Sequence, residues 1–267
     1  MRPAHVTGLS LWTPGYGSLA AWARGEEDVS CTDCSCAWVP PRLLRGASRF
    51  TRMLGEAAEQ ATRDAGGDPR TIATVYGSDY GEIETMIVLL DTIFRGDGQL
   101  SPMRFKNSVH NAASGLCSIG QANQSFSTAL AAGTRTFEAS MLEALALLDE
   151  RGGSVVVSIA DDVLPEPLLS LEGWEGMAVG IVLEREAPAE KVIATLSDLS
   201  VDETATARAT HFRGRPLSER RVHTTAAAAL PLFDTLVDRR PGRVSLAPGH
   251  AGALSVTASP GARRALE

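Results

Sequence analysis

The sequence predicts an α/β fold, and three observations predict it. Short apolar runs of strand length alternate along the chain with segments whose apolar residues fall at helical spacing. Two runs, Val155 to Ile159 and Ala178 to Leu183, show no polar alternation, which suits central strands covered on both faces. Gly133 to Leu148 is Ala/Leu-rich with few charges on any side, so it reads as a long helix buried almost all round.

In chain order, His5 to Trp12 reads as a strand, followed by a turn at Pro14-Gly15-Tyr16-Gly17. Phe50, Met53, Leu54, Ala57, Ala58 and Ala61 lie on one side of a helix that closes at Gly66-Gly67. Ile72 to Tyr76 is a strand. A second helix starts at Gly81, carries Ile83, Met86, Ile87, Leu90 and Phe94, and stops at Gly96-Asp97-Gly98. Ser101 to Gly120 combines a Pro turn with a small-residue segment, and Gln124 to Ala129 reads as a short strand. In the long helix Phe137, Met141, Leu145 and Leu148 form the regular apolar stripe. Further on come a strand over Val192 to Val201 and a helix over Ala226 to Val237 that Pro231 interrupts. A terminal pair of strands follows at Val244 to Leu246 and Leu254 to Val256. The polar stretch Thr204 to Arg221, with Arg213, Arg215, Arg220 and Arg221, reads as an exposed loop.

Composition narrows the function classes. The 267 residues are 44% hydrophobic and 21% charged, an ordinary globular mix, with a net charge of −7. That balance argues against a nucleic-acid ligand, which needs a basic face. No stretch reaches the roughly 18 apolar residues of a membrane span. Met1 to Gly17 lacks the basic start and apolar run of a signal peptide. A cytoplasmic location with reduced cysteines is expected. Cys31, Cys34 and Cys36 cluster before Pro40-Pro41 with no His close by. The expectation is a solvent-facing reduced loop rather than a metal site.

Several ordered segments resemble the N-terminal half of a β-ketoacyl synthase. HVTGLSLWTPGYGSLAAWARGE resembles that family's opening strand and Pro-Gly turn, and IATVYGSDYG its next strand. LSPMRFKNSVHNAASGLCSIG resembles the segment that ketosynthases place at their dimer interface. SFSTALAAGTRTFEASMLEALALL resembles the nucleophile turn and its buried helix, and SVVVSIADDVLPEP the strand and acidic loop that follow. The resemblance covers residues 4 to 185. It implies a thiolase-like layered αβαβα fold with a complete N-terminal half, residues 1–185. A shortened C-terminal half, residues 186–267, would pack on it as one unit.

The family's turn reads Thr-Ala-Cys-Ser/Thr-Ser-Gly, and here it reads Thr128-Ala129-Leu130-Ala131-Ala132-Gly133. A thiolate at a helix N-terminus is what the condensation needs, and leucine has neither an ionisable atom nor a lone pair. Active members also use two histidines from the second half, where this chain has only His211, His223 and His250. The stretch around His250 is read as the Gly-rich loop before the final strand. A ketosynthase fold without the cysteine resembles the chain-length-factor subunits, in the short β-ketoacyl synthase-like N-terminal form of aryl polyene-type pathways. What the resemblance implies is a heterodimer. An active ketosynthase supplies the chemistry, an acyl carrier protein delivers to the pair, and this subunit shapes the tunnel for the acyl or polyene chain. No cofactor and no metal are expected. Because the chain is acidic overall, contact with an acidic carrier protein is assigned largely to the partner subunit.

By position in that segment, Phe105, Val109, Ala112 and Leu116 are the tunnel and interface candidates, the bland alternative being plain packing. Cys117 reads as a packed hydrophobe and His110 as a hydrogen-bonded structural residue. Asp161-Asp162 reads as a turn with solvated charge. Two competing functions stay open. One is a free-standing acyl-transfer enzyme with a relocated nucleophile, Cys117 or Ser127 with His110. The other is a pure scaffold whose own pocket is filled.

Overall fold

The apolar runs pair into one mixed sheet. A computed structural model of the chain describes residues 2–96, 98–165, 168, 175–204, 211–212, 215–217 and 224–266. Its strands are β1 (Ala4–Trp12), β2 (Ala73–Gly77), β3 (Ser127–Leu130), β4 (Ser154–Asp161), β5 (Met177–Glu184), β6 (Ala194–Asp202), β7 (His211–Phe212), β8 (Arg215–Pro216), β9 (Gly242–Ser245) and β10 (Ala253–Pro260). Eight of them share a sheet in the order β3-β2-β4-β5-β1-β6-β10-β9, while β7 and β8 pair with each other. β2 is parallel to β3 and β4; β5 is antiparallel to β4 and β1. β1 lies between β5 and β6, pairing with β5 from His5 to Trp12, with an irregularity between Val6 and Gly8, and with β6 over Ala4 to Val6 on its other edge.

The helices are α1 (Leu19–Arg24), α2 (Pro41–Leu44), α3 (Arg49–Asp64), α4 (Ile83–Arg95), α5 (Pro102–Asn107), α6 (Ala112–Gln121), α7 (Thr136–Arg151) and α8 (Leu230–Val237). α3 starts at Ser48, whose hydroxyl accepts from Thr51 N at 3.0 Å. Its stripe Phe50, Met53, Leu54, Ala57, Ala58 and Ala61 is buried against β1, β4 and β5. The approach is very close. A Cβ at Gly180 would stand 2.4 Å from the Ala57 carbonyl, and one at Gly8 2.2 Å from the Ala61 carbonyl. Hydroxyls on the strands bond the same helix backbone: Ser10 donates to Ala57 O at 2.6 Å and Ser158 to Leu54 O at 2.7 Å. On the opposite face α7 buries Phe137, Met141, Leu145 and Leu148 against β2 and β4, as the stripe predicted.

Strands on the two sides of residue 185 thus share one sheet. A 3-10 turn, Thr225–Ala229, touches α7 and leads into α8, which lies on β9 and β10. The described residues supply four layers: α3 with α6, the first five strands, α7 with the turn and α8, and then β6, β10 and β9. β6 begins with buried Ala194 and Leu196 and continues through exposed Asp198, Ser200 and Val201. One side of it faces solvent, and no helix among the described residues covers it. No described helix is long and apolar enough to cross a membrane.

Local readings needed correction in five places. The small-residue segment is helical: Ser101 caps α5 with Pro102 in its first turn, and α6 follows from Ala112. β3 sits later than read, since its register is set by Thr74 to Gly77 of β2. Pro231 does not interrupt a helix; it lies in the first turn of α8, where a missing N–H leaves no bond unmade. The cysteine loop is not solvent-facing as a whole, because Cys34 and Cys36 are buried beside Trp12, Phe50 and Met53. Most of the polar stretch 204–221 lies outside the described residues, but Phe212 within it is buried, its ring 5.8 Å from Trp22.

Gly180→Ala should lower stability by about 1–3 kcal/mol, since a methyl there forces α3 off the sheet. Urea unfolding is the measurement, and an unchanged midpoint would show that α3 has room to move.

Candidate functional site

The carboxyl ends of the parallel strands β2 and β3, together with the end of β4, converge at the amino end of α7. Leu130 closes β3 opposite Gly77. Ala131 and Ala132 carry the chain to Gly133, which takes a left-handed conformation (φ 57°) and opens a 3-10 turn into α7. Ala132 N donates to Thr136 Oγ1 at 3.0 Å, and that hydroxyl donates to Gly133 O at 2.7 Å. Leu130 is half-buried, against the core beneath α7. Position 130 therefore lies at the strand-to-helix turn leading to the long central helix.

Next to it is a buried anion. Asp161, at the end of β4, is 1% exposed. Its Oδ1 accepts from Ser78 Oγ at 2.7 Å, Asp79 N at 2.9 Å and Tyr80 N at 3.4 Å. Its Oδ2 accepts from Thr225 Oγ1 of the C-terminal 3-10 turn. Burial pushes the carboxyl up to about 6, although these hydrogen bonds favour its ionised form. Ser78 in turn accepts from Gly81 N through its hydroxyl at 2.7 Å and donates its N–H to Leu130 O at 3.2 Å. The reading of Asp161-Asp162 as a solvated turn is thus overturned. Asp162 pairs with Arg49 at 3.2 Å, and Asp161 continues the unbroken buried run of β4. That run was the missed signal: a carboxylate extending a strand covered on both faces has little access to water.

The alternative nucleophiles are not brought together. Cys117 is wholly buried on the α3 side, its thiol pushed up to about 12 by burial. Ser127 accepts from Thr74 Oγ1 at 2.8 Å at the start of β3, while Leu130 ends that strand. His110 is 3.2 Å from Ser78 O through Nε2. His250 lies in the Gly-rich loop before β10, with Gly249 and Gly252 left-handed. Its Nε2 is buried without a hydrogen-bond partner. His211 is exposed on β7, and His223 lies outside the described residues.

Of the four tunnel and interface candidates, Val109, Ala112 and Leu116 line one groove of about 560 Å³ between α2, α5 and α6. Phe105 is not part of that lining and is 63% exposed. The floor is completed by Leu43, Met103 and Ile119, and the rim by Arg42, Arg45 and Lys106. The chain therefore does carry a local basic patch, on a face that the net charge of −7 does not announce. β3 is the first strand of the sheet, and no strand among the described residues lies beside its outer edge.

Asp161 takes up a proton on folding between about pH 4 and 6, because its folded value is raised. Its stabilising share is complete below the unfolded value and is lost as pH rises through about 6. The loss is roughly 3 kcal/mol. Asp161→Asn keeps the donors on Oδ1 and lets Thr225 accept. The variant should lose that pH dependence and match or exceed wild type at pH 7, measured as the difference between two denaturation series.

A family model described as beta-ketoacyl synthase, N-terminal domain, matches residues 19–233. Among solved structures, one similar chain belongs to a ketosynthase (ApeO) in complex with its chain length factor (ApeC) from Xenorhabdus doucetiae. It is 18% identical over 97% of this chain and 100% of that one, with a TM-score of 0.68. A chain of the ishigamide ketosynthase/chain length factor is 17% identical over 96% of this chain and 98% of that one, TM-score 0.68. A chain of AntDE:AntF, a type II PKS acyl-carrier protein in complex with its ketosynthase bound to the hexaketide, is 11% identical, with coverages of 97% and 100% and a TM-score of 0.70. At these identities the likeness is one of fold, and it runs nearly end to end in both chains. The short form is therefore shared with solved proteins. No curated protein sequence matches. The layered fold is thiolase-like, and the chain belongs to the beta-ketoacyl synthase N-terminal domain family.

Proposed function

We propose that this chain is a non-catalytic, chain-length-factor-like subunit. It pairs with an active ketosynthase in the cytoplasm and shapes the acyl tunnel in type II polyketide or fatty-acid-like synthesis of the aryl polyene kind. On this reading residues 1–185 and 186–267 act as one unit. The observation that carries it is Leu130. The strand-to-helix turn that would present a thiolate holds an aliphatic side chain, and the nearest thiol candidate, Cys117, is buried and held protonated.

Two further observations support pairing. The outer edge of β3 pairs with no strand among the described residues, and Phe94, Phe105, Val109 and Ile119 in the segments from α4 to α6 are all exposed. Apolar side chains in that number on one face are what an obligate interface buries. Support for tunnel shaping comes from the groove in which Val109, Ala112 and Leu116 meet, because an apolar wall excludes water and limits a chain by bulk. The free-standing acyl-transfer reading is disfavoured, since Cys117, Ser127 and His110 have separate partners.

Two outcomes are expected. The lone protein, incubated with an acyl-carrier thioester, should gain no covalent acyl adduct by mass spectrometry; an adduct on any residue would make it an enzyme in its own right. Ala112→Phe, reconstituted with the ketosynthase, should give shorter products while the pair stays intact. Identical product lengths would leave the scaffold reading standing.

A further inference from the structure

Many of the described arginines pair with carboxylates, Arg2, Arg24, Arg49, Arg52 and Arg63 among them. Of the described cations without a carboxylate, Arg42, Arg45, Arg104 and Lys106 stand together. Arg42, Arg45 and Lys106 rim the large groove, and Arg45 and Arg104 line an adjoining one of about 350 Å³ that shares Gly46, Met103 and Asn107 with it. All four are exposed. The one carboxylate on the smaller groove is Glu84.

Gly115 is a second, independent observation. It lies within α6, exposed, and a Cβ added to it would meet nothing within 4 Å. Nothing in its own chain requires glycine there, and a helix-interior glycine costs about 1 kcal/mol against alanine. A bare helix surface of this kind suits the close approach of another backbone. It lines the same groove as the cations.

Resting on the pairing reading above, we propose that this face is charge-selective: it fits a different subunit that brings acidic side chains to Arg42, Arg45, Arg104 and Lys106, and it rejects a second copy of this chain. A two-fold pair through one face presents the same patch from both sides, so a homodimer here sets cations towards cations. Apolar surface drives association and the cluster decides with whom. Gly115 lets the partner backbone come close at the centre.

Sedimentation of the purified chain tests the rejection. It should be monomeric at about 0.02 M salt. It should gain mass at about 0.5 M, where charges are screened within roughly 5 Å, and likewise in an R42Q/R45Q/R104Q/K106Q variant. A salt-independent wild-type dimer, or a neutralised variant that stays monomeric, overturns the proposal. Co-expression with a ketosynthase tests the selection. R45E/K106E should weaken capture at least about tenfold. Gly115→Leu should weaken it too, while the lone variant melts no lower than wild type. If wild type captures no ketosynthase, the pairing reading fails, and sedimentation still decides on the cations. If capture is equal in wild type and R45E/K106E, charge selection fails and pairing stands. Loss of carrier-protein binding with the subunit pair intact assigns the cations to the carrier and also overturns the selection.

Discussion

The end of β4 depends on one buried anion. A carboxylate has lone pairs for several donors, and Asp161 uses them to hold the Ser78 hydroxyl, two backbone N–H groups of the loop after β2, and Thr225 from the C-terminal turn. Burying a charge is costly, and the raised carboxyl value records that cost. What offsets it is that one side chain joins segments far apart in sequence. Ser78 then reaches Leu130 O through its N–H and His110 through its carbonyl. The surroundings of the turn at 130 are thus fixed by hydrogen bonds on every side.

Much of this architecture could be read from residue patterns. Strands buried on both faces, such as β4 and β5, write themselves as unbroken apolar runs, and the α3 and α7 stripes keep strict helical spacing. Short polar-apolar mixtures were harder. Nothing in the spacing of Asn111 to Gln121 separates a helix of small residues from a loop, because Ala, Ser and Gly mark no stripe. Burial of Cys34 and Cys36 depends on a chain segment folding back over α3, where Cys36 N and Trp38 Nε1 both donate to Glu56 at 3.2 Å. That is a tertiary event with no local signature. In the site, Leu130 was legible because a motif has a fixed register. The cation cluster was not, because Arg42 and Arg45 come from α2 and its C-terminal cap, and Arg104 and Lys106 from α5, some 60 residues on.

With Leu130 at the strand-to-helix turn, the reason for keeping the fold has to be explained. On the proposed reading the answer is geometric. An acyl tunnel running between two subunits needs two walls, and only one of them has to carry the thiol. The wall built from α6 keeps half-buried Ala112 and Leu116 in place by packing the other side of the helix, through Ala113 and Cys117, onto α3. The cysteine that looks like a displaced nucleophile is then a hydrophobe that orients the wall.

The abbreviated C-terminal half fits the same logic. α8 lies on β9 and β10, and the later part of β6 carries exposed Asp198, Ser200 and Val201. From α4 to α6 the exposed large side chains include Phe94, Phe105, Val109 and Ile119. Apolar surface of that kind is unfavourable in water unless something covers it. A protein that keeps such apolar side chains out on the segments from α4 to α6 is shaped by what they meet.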